Sequence, residues 1–219
     1  MAEVSLKHKL EFYALRALAA VIRGLPRKQA LKVGGRLGIV IGMILKKRYR
    51  LAEENLRRAF PEWSQRKVRA VAWSNFQHIG IGSVEMLRMD MFRSGGRDLN
   101  DYFELPGWQH LRDALALGRG VIMLTGHFGF WESGEFAVPE SCIPVDVVAK
   151  PLKNPLVDNY INNIREAFGA KVLNSRHGAR KILKSLQDGK AVAILLDQHI
   201  SPPGAVGTDF LGRPAYTTT

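Results

Sequence analysis

The stretch Gly118-Arg119-Gly120-Val121-Ile122-Met123-Leu124-Thr125-Gly126-His127 decides the fold. A glycine turn opens onto four consecutive apolar residues, led by two β-branched ones, and a second glycine follows one residue after they end. An uninterrupted apolar run of this length, bounded by turn residues, reads as a strand buried on both faces, because a strand with one wet face would alternate. Working outward, residues 108–117 have helical spacing. Downstream, 145–149 reads as a second strand and 154–168 as a helix broken by Gly169. Residues 171–173 form a short strand, 177–186 a helix stopped by Gly189, and 191–196 a strand ending at Asp197. This alternation predicts an α/β fold: a mostly parallel sheet with flanking helices and right-handed crossovers. Functional groups in such sheets gather outside the carboxyl ends of the strands.

The N-terminal region has a different character. In residues 5–25, Lys9, Arg16 and Arg23 recur every seven residues and make one basic stripe. Leu6, Leu10, Tyr13, Ala17, Val21 and Leu25 form an apolar arc, widened by Phe12, Leu15, Leu18 and Ile22. A helix of this kind suits an anionic membrane interface. Residues 29–45 carry Gly34, Gly38 and Gly42 at four-residue spacing, a smooth ridge for close helix packing. Each glycine costs an isolated helix ~1 kcal/mol, so the ridge implies a packing role. The longest uncharged apolar stretch here, Leu37 to Leu45, is far short of the ~20 residues that cross a bilayer. Pro61 ends the helix before it, Ser64 caps the next one, and Ser94-Gly95-Gly96 reads as a loop. The expected organisation is a basic, membrane-associated helical region over 1–60 and an α/β domain over 61–219, with a C-terminal part missing after Thr219.

Charge narrows the partners. The chain of 219 residues has a formal net charge of +12, and residues 1–60 alone hold 14 Lys and Arg against 4 Asp and Glu. That places the N-terminal third beside something anionic. Lys46-Lys47-Arg48-Tyr49-Arg50 offers phosphate contacts, yet no zinc-finger spacing, paired stacking aromatics or basic-zipper heptads accompany it, so no nucleic-acid partner is expected. The single cysteine, Cys142, excludes an internal disulfide framework and multi-cysteine metal sites. A reducing, cytoplasm-facing location fits that usage.

The chemistry-bearing residues follow the first strand. His127 stands just beyond its carboxyl end, and Glu132 lies near the start of the following helix. A turn between them lets the carboxylate take one ring nitrogen and leave the other as a proton acceptor, the arrangement of a general base and its orienter. Gly126 and Gly129 let the backbone turn tightly and approach a substrate. There is no Gly-x-Ser-x-Gly elbow, no cysteine–base pairing and no His-Glu-x-x-His, so neither an enzyme nucleophile nor a metal site is expected. A His/Glu pair without a nucleophile suits direct attack by a substrate hydroxyl on an activated carbonyl. The same spacing also suits a purely structural His–carboxylate pair.

Gly126-His127-Phe128-Gly129-Phe130-Trp131-Glu132 resembles the His-x4-Glu motif of the lysophospholipid acyltransferase superfamily, and most closely its lipid A late-acyltransferase branch of lauroyl and myristoyl transferases. Further stretches agree in order: Asn55-Leu56 with Phe60-Pro61, Asn154-Pro155-Leu156 with the helix carrying Arg165, Gly169-Ala170-Lys171, Arg176 with Gly178, Asp197-Gln198, and Phe210-Leu211-Gly212-Arg213-Pro214-Ala215. The resemblance implies O-acyl transfer from a fatty acyl thioester, carried on acyl carrier protein or coenzyme A, to a hydroxyl of a lipid A precursor or similar glycolipid. It implies no cofactor beyond that co-substrate, and the cytoplasmic face of a bacterial inner membrane. His127 is then the base and Glu132 its orienting acid. Arg165 or Arg176 grips an oxyanion or phosphate, although each also reads as plain surface charge. Gly129 lies at the substrate, and Asp197 either lines the site or caps a helix. Leu211 stands where a second aromatic is expected. The alternatives are an acyltransferase for another lipid, such as a phosphatidylinositol mannoside or an ornithine lipid, and a non-catalytic membrane-binding relative.

Overall fold

The apolar runs form strands where the sequence puts them, but the first is not buried on both faces as its unbroken run implies, since Ile122 and Leu124 on one face are 51% and 69% exposed. A computed structural model describes residues 4–93, 104, 106–134, 143, 145–175, 178–201 and 203–218. The chain packs as two units. One comprises residues 1–24, 86–126 and 131–195; the other comprises 25–85, 127–130 and 196–219.

In the first unit, β1 (Val121–Thr125), β2 (Val145–Ala149), β3 (Lys171–Asn174) and β4 (Ala191–Leu195) form a parallel sheet in the order β1-β4-β2-β3. β1 and β4 pair in register from Val121↔Ala191 to Thr125↔Leu195. One face of the sheet builds the core from Val145, Val147 and Ala191, with Ile143 and Ala170. Trp108, Leu111 and Leu115 of α6 (Trp108–Ala116) pack against it. The odd residue in β2 is Asp146, which is buried. It accepts from Ser185 Oγ at 2.5 Å, on α8 (Gly178–Gln187), and from Lys190 Nζ at 3.4 Å, so the charge is satisfied.

Helix α7 (Pro155–Glu166) begins at a cap the sequence announces. Pro155 occupies the first turn, and the Asn154 side chain accepts from the amides of Leu156 and Val157. The Asn154 amide also donates to the His8 carbonyl and to Glu11, both at 2.9 Å, which ties α7 to α1 (Leu6–Gly24). Phe12 meets Tyr160 edge-on and Arg16 lies 5.4 Å over the Tyr160 ring. At the end of α1, Arg23 grips Asp90 of the short helix α5 (Asp90–Arg93) with two bonds of 2.6 and 2.7 Å. The wide apolar arc of α1 divides in two. Ala19 and Ile22 are buried and Phe12 and Leu15 half-buried, whereas Leu6, Leu10, Tyr13 and Val21 are exposed.

The second unit holds α2 (Arg27–Ile44), α3 (Lys46–Ala59) and most of α4 (Gln65–Leu87), together with a hairpin of β5 (Ala205–Phe210) and β6 (Arg213–Thr218). α3 stops two residues short of Pro61. The glycine ridge of α2 packs on α4, as its spacing implies. A Cβ at Gly38 would lie 2.1 Å from the Phe76 carbonyl oxygen, and one at Gly80 would lie 2.2 Å from that of Gly34. Among the described residues no helix is long and apolar enough to cross a membrane. Ser94-Gly95-Gly96 lies outside the described residues.

Gly38→Ala sets two effects against each other. Alanine favours the helix by ~1 kcal/mol, but its methyl meets backbone that has no rotamer to move, and overpacking of this kind costs ~1–3 kcal/mol or more. The clash wins, and thermal melting of Gly38→Ala should show a lower midpoint than the parent chain.

Candidate active site

His127 and Asp197 belong to the second unit and lie against each other. Nδ1 of His127 is 2.6 Å from Asp197 Oδ1, and the His127 backbone N–H donates to Oδ2 at 2.7 Å. The carboxylate therefore grips both ring and backbone of one residue, which fixes the imidazole's orientation. On the far side of the ring, Nε2 lies 3.2 Å from Gln198 Nε2. In this assignment of the side-chain amide the Gln198 nitrogen only donates, so His127 Nε2 must accept and the proton sits on Nδ1, facing Asp197. That tautomer is the one a general base needs: Nε2 carries the lone pair, and Asp197 stands ready to stabilise the imidazolium that forms. Partial burial pushes the Asp197 carboxyl up, but the bonds from the His127 ring and backbone, with the charge of the ring, outweigh it. Its net position is below the usual carboxylate value of 3.8.

Gly129 has φ +53°, in the left-handed region. Phe128, between the two, is 74% exposed. Asp197 also lines a cavity of about 980 Å³ within the second unit.

Glu132 lies in the first unit, in a single 3₁₀ turn over Trp131–Ser133 where the sequence suggested the start of a longer helix. Its carboxylate takes two bonds from Arg165 of α7, from Nε at 3.0 Å and Nη2 at 2.6 Å. Arg165 Nη1 reaches Asn162 at 3.4 Å. Both members of this fork are largely withdrawn from water, at 16% and 8% side-chain exposure. Arg176 lies outside the described residues. Among those described, no group of three His, Cys, Asp or Glu side chains is placed to hold a metal ion.

Asp197 and Gln198 sit some seventy residues beyond His127 in sequence, which is why spacing along the chain did not single them out as partners of the ring. The signal is in the sheet. Strands β1 and β4 pair at a constant offset, and His127 and Asp197, each two residues past the last registered pair, keep it.

A family model described as bacterial lipid A biosynthesis acyltransferase matches residues 3–219. The chain belongs to this family. Among curated relatives, a lipid A biosynthesis acyltransferase of Haemophilus influenzae is 26% identical over 186 residues, covering 83% of this chain and 56% of the relative. The lipid A biosynthesis lauroyltransferase of Escherichia coli K12 is 29% identical over 198 residues, covering 89% and 63%. A phosphatidylinositol mannoside acyltransferase of Mycolicibacterium smegmatis is 25% identical over 119 residues, covering 52% and 39%. The chain thus spans about three-fifths of the length of the first of these family relatives, between 56% and 63%.

Two outcomes follow from the ion pairs. Arg165→Ala leaves the buried Glu132 carboxylate without its fork, and breaking a buried pair from one side costs ~3–5 kcal/mol. Urea unfolding should show that loss, and the double variant Arg165→Met with Glu132→Met should recover much of it. The lowered Asp197 carboxyl contributes stability that is complete above its unfolded value and is lost as pH falls through the lower folded value. Melting temperature followed downward from pH 6 should therefore fall less steeply below pH 4 in Asp197→Asn than in the parent chain.

Proposed function

We propose that this chain catalyses O-acyl transfer from a fatty acyl thioester to a hydroxyl of a lipid A precursor or a similar glycolipid, with His127 as general base. The observation that carries the reading is the His127–Asp197 pair, whose geometry holds Nε2 as a proton acceptor. Family membership supports the choice of acyl transfer. Nε2 takes the proton of the acceptor hydroxyl as its oxygen bonds to the thioester carbonyl carbon. The tetrahedral oxyanion collapses, the carbon–sulfur bond breaks, and the departing thiolate recovers the proton from the imidazolium. Ester and free thiol are the products, with no acyl group on the enzyme. Gln198, whose amide lies beside Nε2, offers an N–H donor for the oxyanion.

Glu132 enters as the acid of the His-x4-Glu motif. Arg165 holds that carboxylate, and we assign it positioning through Glu132. The donor is an acyl thioester on acyl carrier protein or coenzyme A, and the workplace is the cytoplasmic face of a bacterial inner membrane. The exposed stripe of Leu6, Leu10, Tyr13 and Val21, flanked by Lys9 and Arg16, supports docking of α1 on an anionic bilayer. A second reading of the acceptor, a phosphatidylinositol mannoside, rests on the Mycolicibacterium relative.

Mass spectrometry of purified protein with acyl thioesters and extracted glycolipids tests the reaction. A mass gain of one acyl group on lipid A precursor is expected, and His127→Ala should lower its rate by ~10²-fold or more. Asp197→Asn should lower it to a similar degree while leaving the fold intact. Unchanged transfer by folded His127→Ala would overturn the reading. For docking, sedimentation with vesicles containing phosphatidylglycerol should pull down the parent chain at low salt, and Leu10→Asp should weaken that binding at least several-fold.

A further inference from the structure

Helix α1 presents two unlike rows of side chains. At ~100° per residue, Leu6, Leu10, Tyr13 and Val21 fall on one side, and His8, Phe12, Leu15, Ala19 and Ile22 fall on nearly the opposite side. The first row is exposed, and the second is buried or half-buried. The upper part of that inward row meets α7, and Asn154 is the joint. Its side-chain oxygen accepts from the Leu156 and Val157 amides and so caps α7. Its side-chain nitrogen donates to the His8 carbonyl and to Glu11, both on α1. Asn154 is buried, so these bonds are shielded from water. At the other end of α7, in its last turn, Arg165 forks onto Glu132.

We infer that Asn154 is a positioning residue that couples bilayer binding by α1 to the placement of Arg165 and Glu132, so that an anionic surface orders the site. The inference rests on the acyl-transfer and docking readings and adds regulation to them. The shared element is the α1 helix itself. An isolated helix of this length is marginal in water, and α7, at 12 residues, is shorter still. The outward row is continuous only while α1 is helical, and the inward row reaches α7 only under the same condition. A bilayer that binds the outward row therefore favours the state in which Asn154 holds His8 and Glu11. By linkage it also favours a fixed first turn of α7, and through that helix a fixed Arg165. Phe12 and Arg16 touch the Tyr160 ring as well, but Asn154 bonds to the backbone of both helices.

Asn154→Asp separates the cap from the tie. Aspartate caps a helix as well as asparagine does, but its carboxylate has no N–H to donate and stands against Glu11. Adding Glu11→Lys turns that repulsion into an ion pair and restores a tie between the helices. Leu10→Asp attacks the same coupling from the bilayer side and leaves Asn154 in place.

Amide hydrogen exchange of the whole chain, read by mass spectrometry with and without vesicles of phosphatidylglycerol and phosphatidylcholine in equal parts, tests this without turnover. In the parent chain the vesicles should slow exchange across α1, and across α7 by about 5-fold or more, an ordinary size for coupling between sites. Asn154→Asp should keep the slowing in α1 and lose it in α7, and the double variant with Glu11→Lys should regain it. Leu10→Asp should lose both. In transfer assays at saturating vesicle concentration, kcat should follow the same pattern, with stimulation by phosphatidylglycerol lost in Asn154→Asp and regained in the double variant. No vesicle binding by the parent chain, or slowing confined to α1, would overturn the inference. So would slowing of α7 that persists in folded Asn154→Asp or in Leu10→Asp, or a parent kcat indifferent to phosphatidylglycerol. Vesicle-dependent protection of α7 in a chain that transfers no acyl group would keep the coupling and sink the catalytic reading instead.

Discussion

Parallel pairing of β1 with β4 is the constraint on which the functional geometry depends. Val121 to Thr125 run level with Ala191 to Leu195, so the two strands finish side by side and their chains emerge with the same offset. Two residues later His127 meets Asp197. Parallel pairing is slightly weaker per residue than antiparallel and needs long crossovers. It has one consequence that antiparallel pairing lacks: neighbouring strands end at the same edge, so residues from distant segments become neighbours there. The imidazole's tautomer follows from that placement, because a carboxylate at Nδ1 and an amide donor at Nε2 leave one consistent arrangement of protons.

Burial of charge follows one logic in the first unit. Asp146 in the sheet and Glu132 after it are both withdrawn from water, and each has its compensation: Ser185 and Lys190 for one, the Arg165 fork for the other. Arg165 rides on α7, whose start is fixed by the Asn154 cap and whose flank is tied to α1 through the same side chain. A single asparagine thus links the amphipathic N-terminal helix to the helix carrying Arg165. In the second unit, order comes from close backbone approach, with Gly38 and Gly80 removing the side chains that would hold α2 and α4 apart.

Much of the fold was legible because the strands are short apolar runs bounded by turn residues, with a glycine just before β1, β3 and β4 and prolines on either side of β2. The helix limits followed from Pro61, Asn154 and the glycines, which act locally. The pairing of Gly34, Gly38 and Gly42 with α4 was legible as a packing role without its partner. Strand order was not legible, since nothing in Val121 to Leu124 says that β4 rather than β2 lies beside it, and so Asp197 could not be matched to His127. The hairpin was also hidden. Its turn uses Leu211-Gly212, and a leucine at positive φ lacks the Asn-Gly or Asp-Gly signature that announces such turns. The outward stripe of α1 was visible as an apolar arc, but which part of the arc packs on α7 depends on Tyr160, far away in sequence.

The central claim is that Asp197 holds His127 with its proton on Nδ1 and its lone pair on Nε2. Nitrogen-15 NMR of the His127 imidazole above its titration range tests this most directly. The account predicts a protonated, pyrrole-like Nδ1 coupled to a hydrogen-bonded proton and an unprotonated, pyridine-like Nε2, with the preference weakened in Asp197→Asn. A proton on Nε2 in the parent chain, or a tautomer indifferent to the loss of the carboxylate, would contradict it.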